Sequence, residues 1–133
     1  MTTPNSAASV YDAIGGDATF DKLVAGFYAQ VPDDDILAPM YPEDDMEGAH
    51  NRLKWFLAQY WGGPQAFSEN RGHPALRMRH AHFHVDRAAA LRWLELMNNS
   101  LAQIDEETIP PAYRHMLTDH FERVAGMLIN QPD

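Results

Sequence analysis

The stretch RGHPALRMRHAHFHV, residues 71–85, carries four of the chain's seven histidines: His73, His80, His82 and His84. What they can do depends on the backbone beneath them. On a strand, His80, His82 and His84 would point to one side and could share a zinc or copper ion. Alternate histidines point the same way only on a strand, so a helical backbone would break up that set of three. His73-Pro74 suits a helix start, because proline at the first helical position gives up an N–H that would be unpaired anyway. A brief helix over residues 75–81 is expected, with residues 82–85 as the link to a capping Asp86.

Outward from this stretch the chain has helical period on both sides. A short segment, residues 10–14, stops at Gly15-Gly16. Asp17 is expected to cap the next helix, whose apolar positions Phe20, Leu23, Val24, Phe27, Tyr28 and Val31 recur at spacings of three and four. Pro32 closes it. Residues 36–42 read as a loop in which Pro42 biases Tyr41 to an extended backbone. Met46, Ala49, Leu53, Phe56, Leu57 and Tyr60 form another stripe, stopped by Gly62-Gly63-Pro64. Downstream, Asp86 caps a helix with Ala90, Trp93, Leu94, Met97, Leu101 and Ile104 on one side. Pro110-Pro111 opens the last, with Leu117, Phe121, Val124 and Leu128 facing inward, until Pro132. No run alternates with period two. The fold class is all-α, with four substantial helices and short ones between them.

The 133 residues suffice for one domain with its own core, expected over residues 10–133 behind a flexible N-terminal segment, residues 1–9. The absence of cysteine excludes disulfides, thiol nucleophiles, Cys-ligated zinc and iron–sulfur clusters. Residues 1–9 lack the basic flank and apolar run of a secretion signal, and no stretch approaches a membrane span, so a cytoplasmic location is expected. A net charge of −9 argues against nucleic acid as a partner. Yet Arg71, Arg77, Arg79, Arg87 and Arg92 gather around the histidines with only Asp86 against them. That zone is either a solvated helix face or a seat for an anionic ligand or cofactor.

Three chemistries remain for the histidines. His80, His82 and His84 could form a metal site, which the helical surroundings disfavour. They could be exposed or packed, as could His50, His73, His115 and His120. Or His80 alone, following Leu76, Met78 and Arg79, could bind one axial position of a flat iron cofactor whose edge carboxylates meet the arginines.

Four blocks in order then resemble one family: Phe27-Tyr-Ala-Gln-Val31, Met40-Tyr-Pro-Glu-Asp-Asp45, Gln59-Tyr-Trp-Gly-Gly-Pro64 and Arg71-Gly-His-Pro-Ala-Leu-Arg-Met-Arg-His80. Together with Trp93 they are similar to the truncated haemoglobins, and more narrowly to the group II, or O-type, branch. The resemblance runs from about Tyr11 to Pro132. It implies a two-over-two helical sandwich around haem b, with His80 as the proximal iron ligand. It also implies a distal pocket of Tyr28, Tyr41 and Trp93, lined by Leu53 and Ala49. Ala49 stands where many globins carry a histidine gate, so a wider access beside the haem is expected. Arg52, Arg79 and Tyr60 become candidates to meet the propionates. Two positions depart from the branch: Phe67 where tyrosine is common, and His82 where proline is common.

The expected function is reversible binding of O2, and of CO and NO, with Tyr28, Tyr41 and Trp93 donating hydrogen bonds to a ligand that carries partial negative charge. The rival is a redox enzyme, an NO dioxygenase or peroxidase, using the same donors. The chain has no dinucleotide fingerprint, so such turnover would need a separate reductase. A monomer or homodimer is expected.

Overall fold

The computed structural model describes residues 9–41, 43–71 and 85–129. Ser9 accepts the Asp12 N–H at 3.1 Å and so caps α1 (Val10–Ala13). Gly15, at φ 113°, lies in the left-handed region that an L side chain rarely enters, and the chain turns there into α2 (Asp17–Tyr28). Asp17, expected as the cap, is instead the first helical residue, and Gly16 holds the cap position. The sharp turn needs Gly16's positive φ, which Asp17 would adopt only at a cost. From the first turn the Asp17 carboxylate still favours the helix dipole, and it pairs with Lys54 across the α2–α3 contact at 3.3 Å.

The α2 helix ends at Tyr28, short of Val31, which shares its apolar spacing. Val31 is buried all the same, inside a 3-10 turn (Val31–Asp33) that contains Pro32. A second such turn (Ala38–Met40) lies in the segment read as a loop, and Tyr41 follows it in the extended conformation expected before Pro42, at φ −117° and ψ 142°. A third (Glu43–Asp45) leads into α3 (Met46–Tyr60). That helix stops where Gly63 donates its N–H to Ala58 O at 2.7 Å.

After the short α4 (Ala66–Arg71), the expected helix over residues 75–81 and the link to residue 84 lie outside the described residues. Asp86 caps α5 (Arg87–Ala102) as expected, accepting the Ala89 N–H at 2.9 Å. Pro111 begins α6 (Pro111–Leu128). Among the described residues there is no strand.

Helix α2 packs on both α3 and α5, and α5 packs on α6. The shared core comprises Phe20, Leu23, Val24 and Phe27 from α2, Leu57 from α3, Met97 and Leu101 from α5, and Leu117 and Phe121 from α6. The periodic residues reach one core because spacings of three and four keep them on one side of each helix. At the α2–α5 crossing a Cβ on Gly26 would stand 2.2 Å from Ser100 Oγ and 3.0 Å from its Cβ. The Ser100 hydroxyl is already committed, donating to Leu23 O at 2.6 Å.

Gly26→Ala sets two effects against each other. Alanine favours a helix interior by about 1 kcal/mol, while forcing apart a packed crossing costs about 1–3 kcal/mol. A net loss of stability of about 1 kcal/mol is expected, read as a lower denaturant midpoint. An unchanged or higher midpoint would show that α2 and α5 can part freely.

Candidate functional site

Phe27 has no exposed surface, and the three rings expected in a distal pocket surround it. Its centroid lies 4.9 Å from Tyr28, 6.2 Å from Tyr41 and 6.1 Å from Trp93, each an edge-on contact. Tyr28 and Tyr41 also meet edge-on at 5.5 Å. Residues from α2, from the extended segment before Pro42 and from α5 therefore converge, although 65 positions separate Tyr28 from Trp93 in sequence. In the sequence Phe27 is a position of the apolar stripe and the first residue of a family-like block, and neither places it at the centre of the three rings.

The donors differ in how far they are satisfied. Tyr28 donates to the Ala49 carbonyl at 3.3 Å, long for a hydroxyl bond. Trp93 makes ring contacts with Phe27 and Phe121, and its indole N–H has no hydrogen-bond partner among the described residues. Burial pushes the Tyr41 hydroxyl up to about 12, with the neighbouring Tyr28 hydroxyl offsetting part of that rise. Tyr28 is raised further, first by burial and then by the proximity of Tyr41, against the opposing charge of Arg52. Both phenols therefore keep their protons near neutral pH and remain donors.

Ala49 is buried, while Leu53 is half-buried and packs against the core. Both stand on α3 beside the Tyr28 contact. His50 adds a feature that sequence reading left among the unassigned histidines. Its Nε2 lies 2.9 Å from Asp21 Oδ1, and its ring lies 6.2 Å from Tyr28. The His50 hydrogen bond holds the Asp21 carboxyl below its usual range, and Lys54 adds to this at 3.5 Å. The spacing of Asp17 and Asp21 on α2 against His50 and Lys54 on α3, each pair four apart, was the available signal.

Tyr41 is held in place by a polar knot. Asp34 Oδ2 accepts the N–H groups of Ile36 at 3.1 Å and Leu37 at 2.8 Å. Its other oxygen takes a hydrogen bond from Arg92, the residue before Trp93, and Arg92 also reaches Asp35 at 3.1 Å. Burial alone would raise the Asp34 carboxyl; Arg92 and the two N–H groups outweigh it and bring it below its usual range. Arg92, one of the five arginines of the local positive zone, is thus engaged with acids.

The remaining candidates are scattered. Arg52 Nη1 pairs with Asp45 at 3.2 Å at the start of α3. Tyr60, at the far end of α3, is 51 % exposed and stacks on His120 at 3.8 Å. Phe67 is buried, edge-on to Phe56 at 6.1 Å. Arg79 and His80, with His73, His82 and His84, lie outside the described residues. Among the described residues no group of His, Asp and Glu is arranged to hold a metal ion, and no helix is long and apolar enough to cross a membrane.

This arrangement matches known proteins over nearly the whole chain. A model of the bacterial-like globin family matches residues 9–128. The group 2 truncated hemoglobin YjbI of Bacillus subtilis (strain 168) is 35% identical over 123 residues, 92% of this chain and 89% of that protein. The crystal structure of the group II truncated hemoglobin from Bacillus anthracis superposes with a TM-score of 0.85 at 32% identity, covering 94% of this chain and 93% of that one. The X-ray structure of a thermostable hemoglobin from the actinobacterium Thermobifida fusca does so with a TM-score of 0.85 at 40% identity, covering 94% and 99%. The chain is therefore a globin of the bacterial-like family, with the truncated all-helical fold of its structural neighbours. Within that family it belongs with the group II truncated haemoglobins, and membership implies a haem-binding protein.

His120 supplies a pH test of the packing behind the pocket. It is 3 % exposed, and burial, reinforced by Arg123, pushes its pKa down to about 4. The unfolded chain takes up this proton near 6.5 while the folded chain refuses it. Stability should fall as pH drops from about 6.5 to 4, by about 3 kcal/mol from this residue at the lower limit. His120→Gln should flatten that slope in denaturant midpoints taken across the range. A slope unchanged by the substitution would exclude a buried neutral imidazole.

Proposed function

We propose that this globin holds haem b through His80 and reversibly binds O2, with CO and NO as further ligands, under the control of Tyr28, Tyr41 and Trp93. The described residues fit such a group. Met46, Leu53, Phe56, Trp93 and Leu94 are large apolar side chains that pack on the core yet stay partly uncovered, as the lining of a flat apolar molecule would be. When bound, haem would supply an iron able to take a diatomic ligand.

The observation that carries the reading is the half-buried Trp93, whose indole N–H has no hydrogen-bond partner among the described residues and whose ring meets the same buried Phe27 as two protonated phenols. An unpaired donor in an apolar setting costs free energy until it finds an acceptor. A ligand with partial negative charge is the acceptor that all three donors would favour. Tyr28 has only its long bond to Ala49 to give up, and Ala49 offers no side chain large enough to close the pocket. His80 would hold the cofactor from the opposite side, and Arg52 and Arg79 would meet its carboxylates. Arg52 would leave Asp45, a bond between partly exposed groups that is cheap to exchange.

His80→Ala should abolish stoichiometric haem binding, read from the absorption of the ferric, dithionite-reduced and CO-treated protein. Full haem retention with an unchanged spectrum would remove the assignment. Loss of one charge-assisted hydrogen bond, about 1.5–3 kcal/mol, should speed O2 dissociation roughly tenfold to a hundredfold in Trp93→Phe or Tyr28→Phe. If both single variants and the double leave the rate unchanged, these donors do not hold the ligand.

A further inference from the structure

A second aromatic cluster joins the end of α3 to the middle of α6. Trp61 Nε1 donates to His120 Nδ1 at 3.0 Å. The His120 ring stacks on Tyr60 at 3.8 Å with 16° between the planes, and Tyr60 meets Trp61 edge-on at 5.1 Å. His120 is 3 % exposed and Tyr60 51 %, so the cluster runs from the core to solvent within one stack. Of the five tyrosines, Tyr60 alone is largely exposed. Of the three tryptophans, Trp55 and Trp61 are both half-buried, but only Trp61 donates to a nitrogen base among the described residues.

Accepting a hydrogen bond at Nδ1 requires a lone pair there, so a neutral His120 carries its own proton on Nε2. Burial favours that neutral form. An indole that loses an electron becomes a far stronger acid, and a base already within hydrogen-bond reach of its N–H can take the proton in the same event. Trp55 has no such base among the described residues. The side chains that face His120 are otherwise Phe56, Phe121 and the two aromatics above, with Arg123 and Asp119 the charged groups acting on it.

We propose that Trp61, His120 and Tyr60 form a site of one-electron oxidation that opens to solvent at Tyr60. An outer-sphere metal-complex oxidant, such as a ruthenium(III) polypyridyl, takes one electron from Trp61 and is reduced by one unit, while the Trp61 Nε1 proton passes to His120 Nδ1, leaving a neutral indolyl radical and an imidazolium. Tyr60 then returns an electron to Trp61, the proton goes back from Nδ1 to Nε1, and the Tyr60 hydroxyl proton leaves to water. A phenolic reductant restores Tyr60 by giving it a hydrogen atom. The site goes beyond the ligand-binding reading and does not depend on it.

The purified full chain is exposed to photogenerated ruthenium(III) tris-bipyridyl, with persulfate as electron sink. Radicals are followed by electron paramagnetic resonance and oxidised residues by peptide mass spectrometry. Oxidation is expected at Tyr60 and Trp61 with Trp55 largely spared, and added p-cresol should suppress the Tyr60 product. His120→Gln keeps an acceptor for the indole N–H but cannot hold its proton, so it should lose most of the Tyr60 and Trp61 products. Equal oxidation of Trp55 and Trp61, or a pattern untouched by His120→Gln, would overturn the proposal. Should that variant fail to fold, Tyr60→Phe, at an exposed position, serves instead. Oxidation should then accumulate on Trp61 and resist p-cresol, and an unchanged Trp61 yield with unchanged protection would remove Tyr60 from the site.

Discussion

Phe27 must be buried, and much of the pocket follows from where that burial puts its neighbours. Its ring sits where α2 meets α5, with Trp93, Tyr28 and Tyr41 each edge-on to it. An interior packed to crystalline density leaves such a ring little freedom, so the polar ends of the three surrounding rings are held in mutual register by an apolar contact. The crossing at Gly26 and Ser100 sets how closely α2 and α5 approach. Close approach there is what lets a helix beginning near residue 17 and another beginning near residue 87 face one pocket.

Two polar devices hold the parts that packing alone would leave loose. Asp34 ties the turn after α2 to Arg92 on α5, and so orients the segment that ends at Tyr41. Asp17 and Asp21 on α2 face Lys54 and His50 on α3, next to the Ala49 carbonyl that receives the Tyr28 hydroxyl. Partly exposed pairs like these add modestly to stability. Their larger effect is to choose one arrangement of the loop and the helix pair. The α3–α6 contact is organised differently, by stacked rings around a single buried imidazole.

Much of the fold was legible because helical burial writes a period into the chain. The stripes at Phe20 to Val31, Met46 to Tyr60, Ala90 to Ile104 and Leu117 to Leu128 correspond to the helices found, the first and third of which stop short at Tyr28 and Ala102, and Asp86 and Pro111 mark two of their starts. The miss at Asp17 has a local cause: two glycines precede it, and either Gly16 or Asp17 satisfies a sequence-level rule for a cap. Only the backbone angle decides between them. The partners of Arg92 were not legible for a longer-range reason, since the acids that engage it lie 57 and 58 residues away.

The amino-acid sequence by itself determined the class of fold, the helix limits to within a few residues, the exclusion of cysteine chemistry and, through its motifs, the family. These are properties of local spacing and residue type, which act within a turn or two of helix. Tertiary structure alone decided that Phe27 is the centre of the site, that His50 completes the α2–α3 clamp, and that His120 is a buried acceptor for Trp61. Each is a meeting of side chains tens of residues apart, and such meetings arise only when several apolar stripes are buried against one another at once.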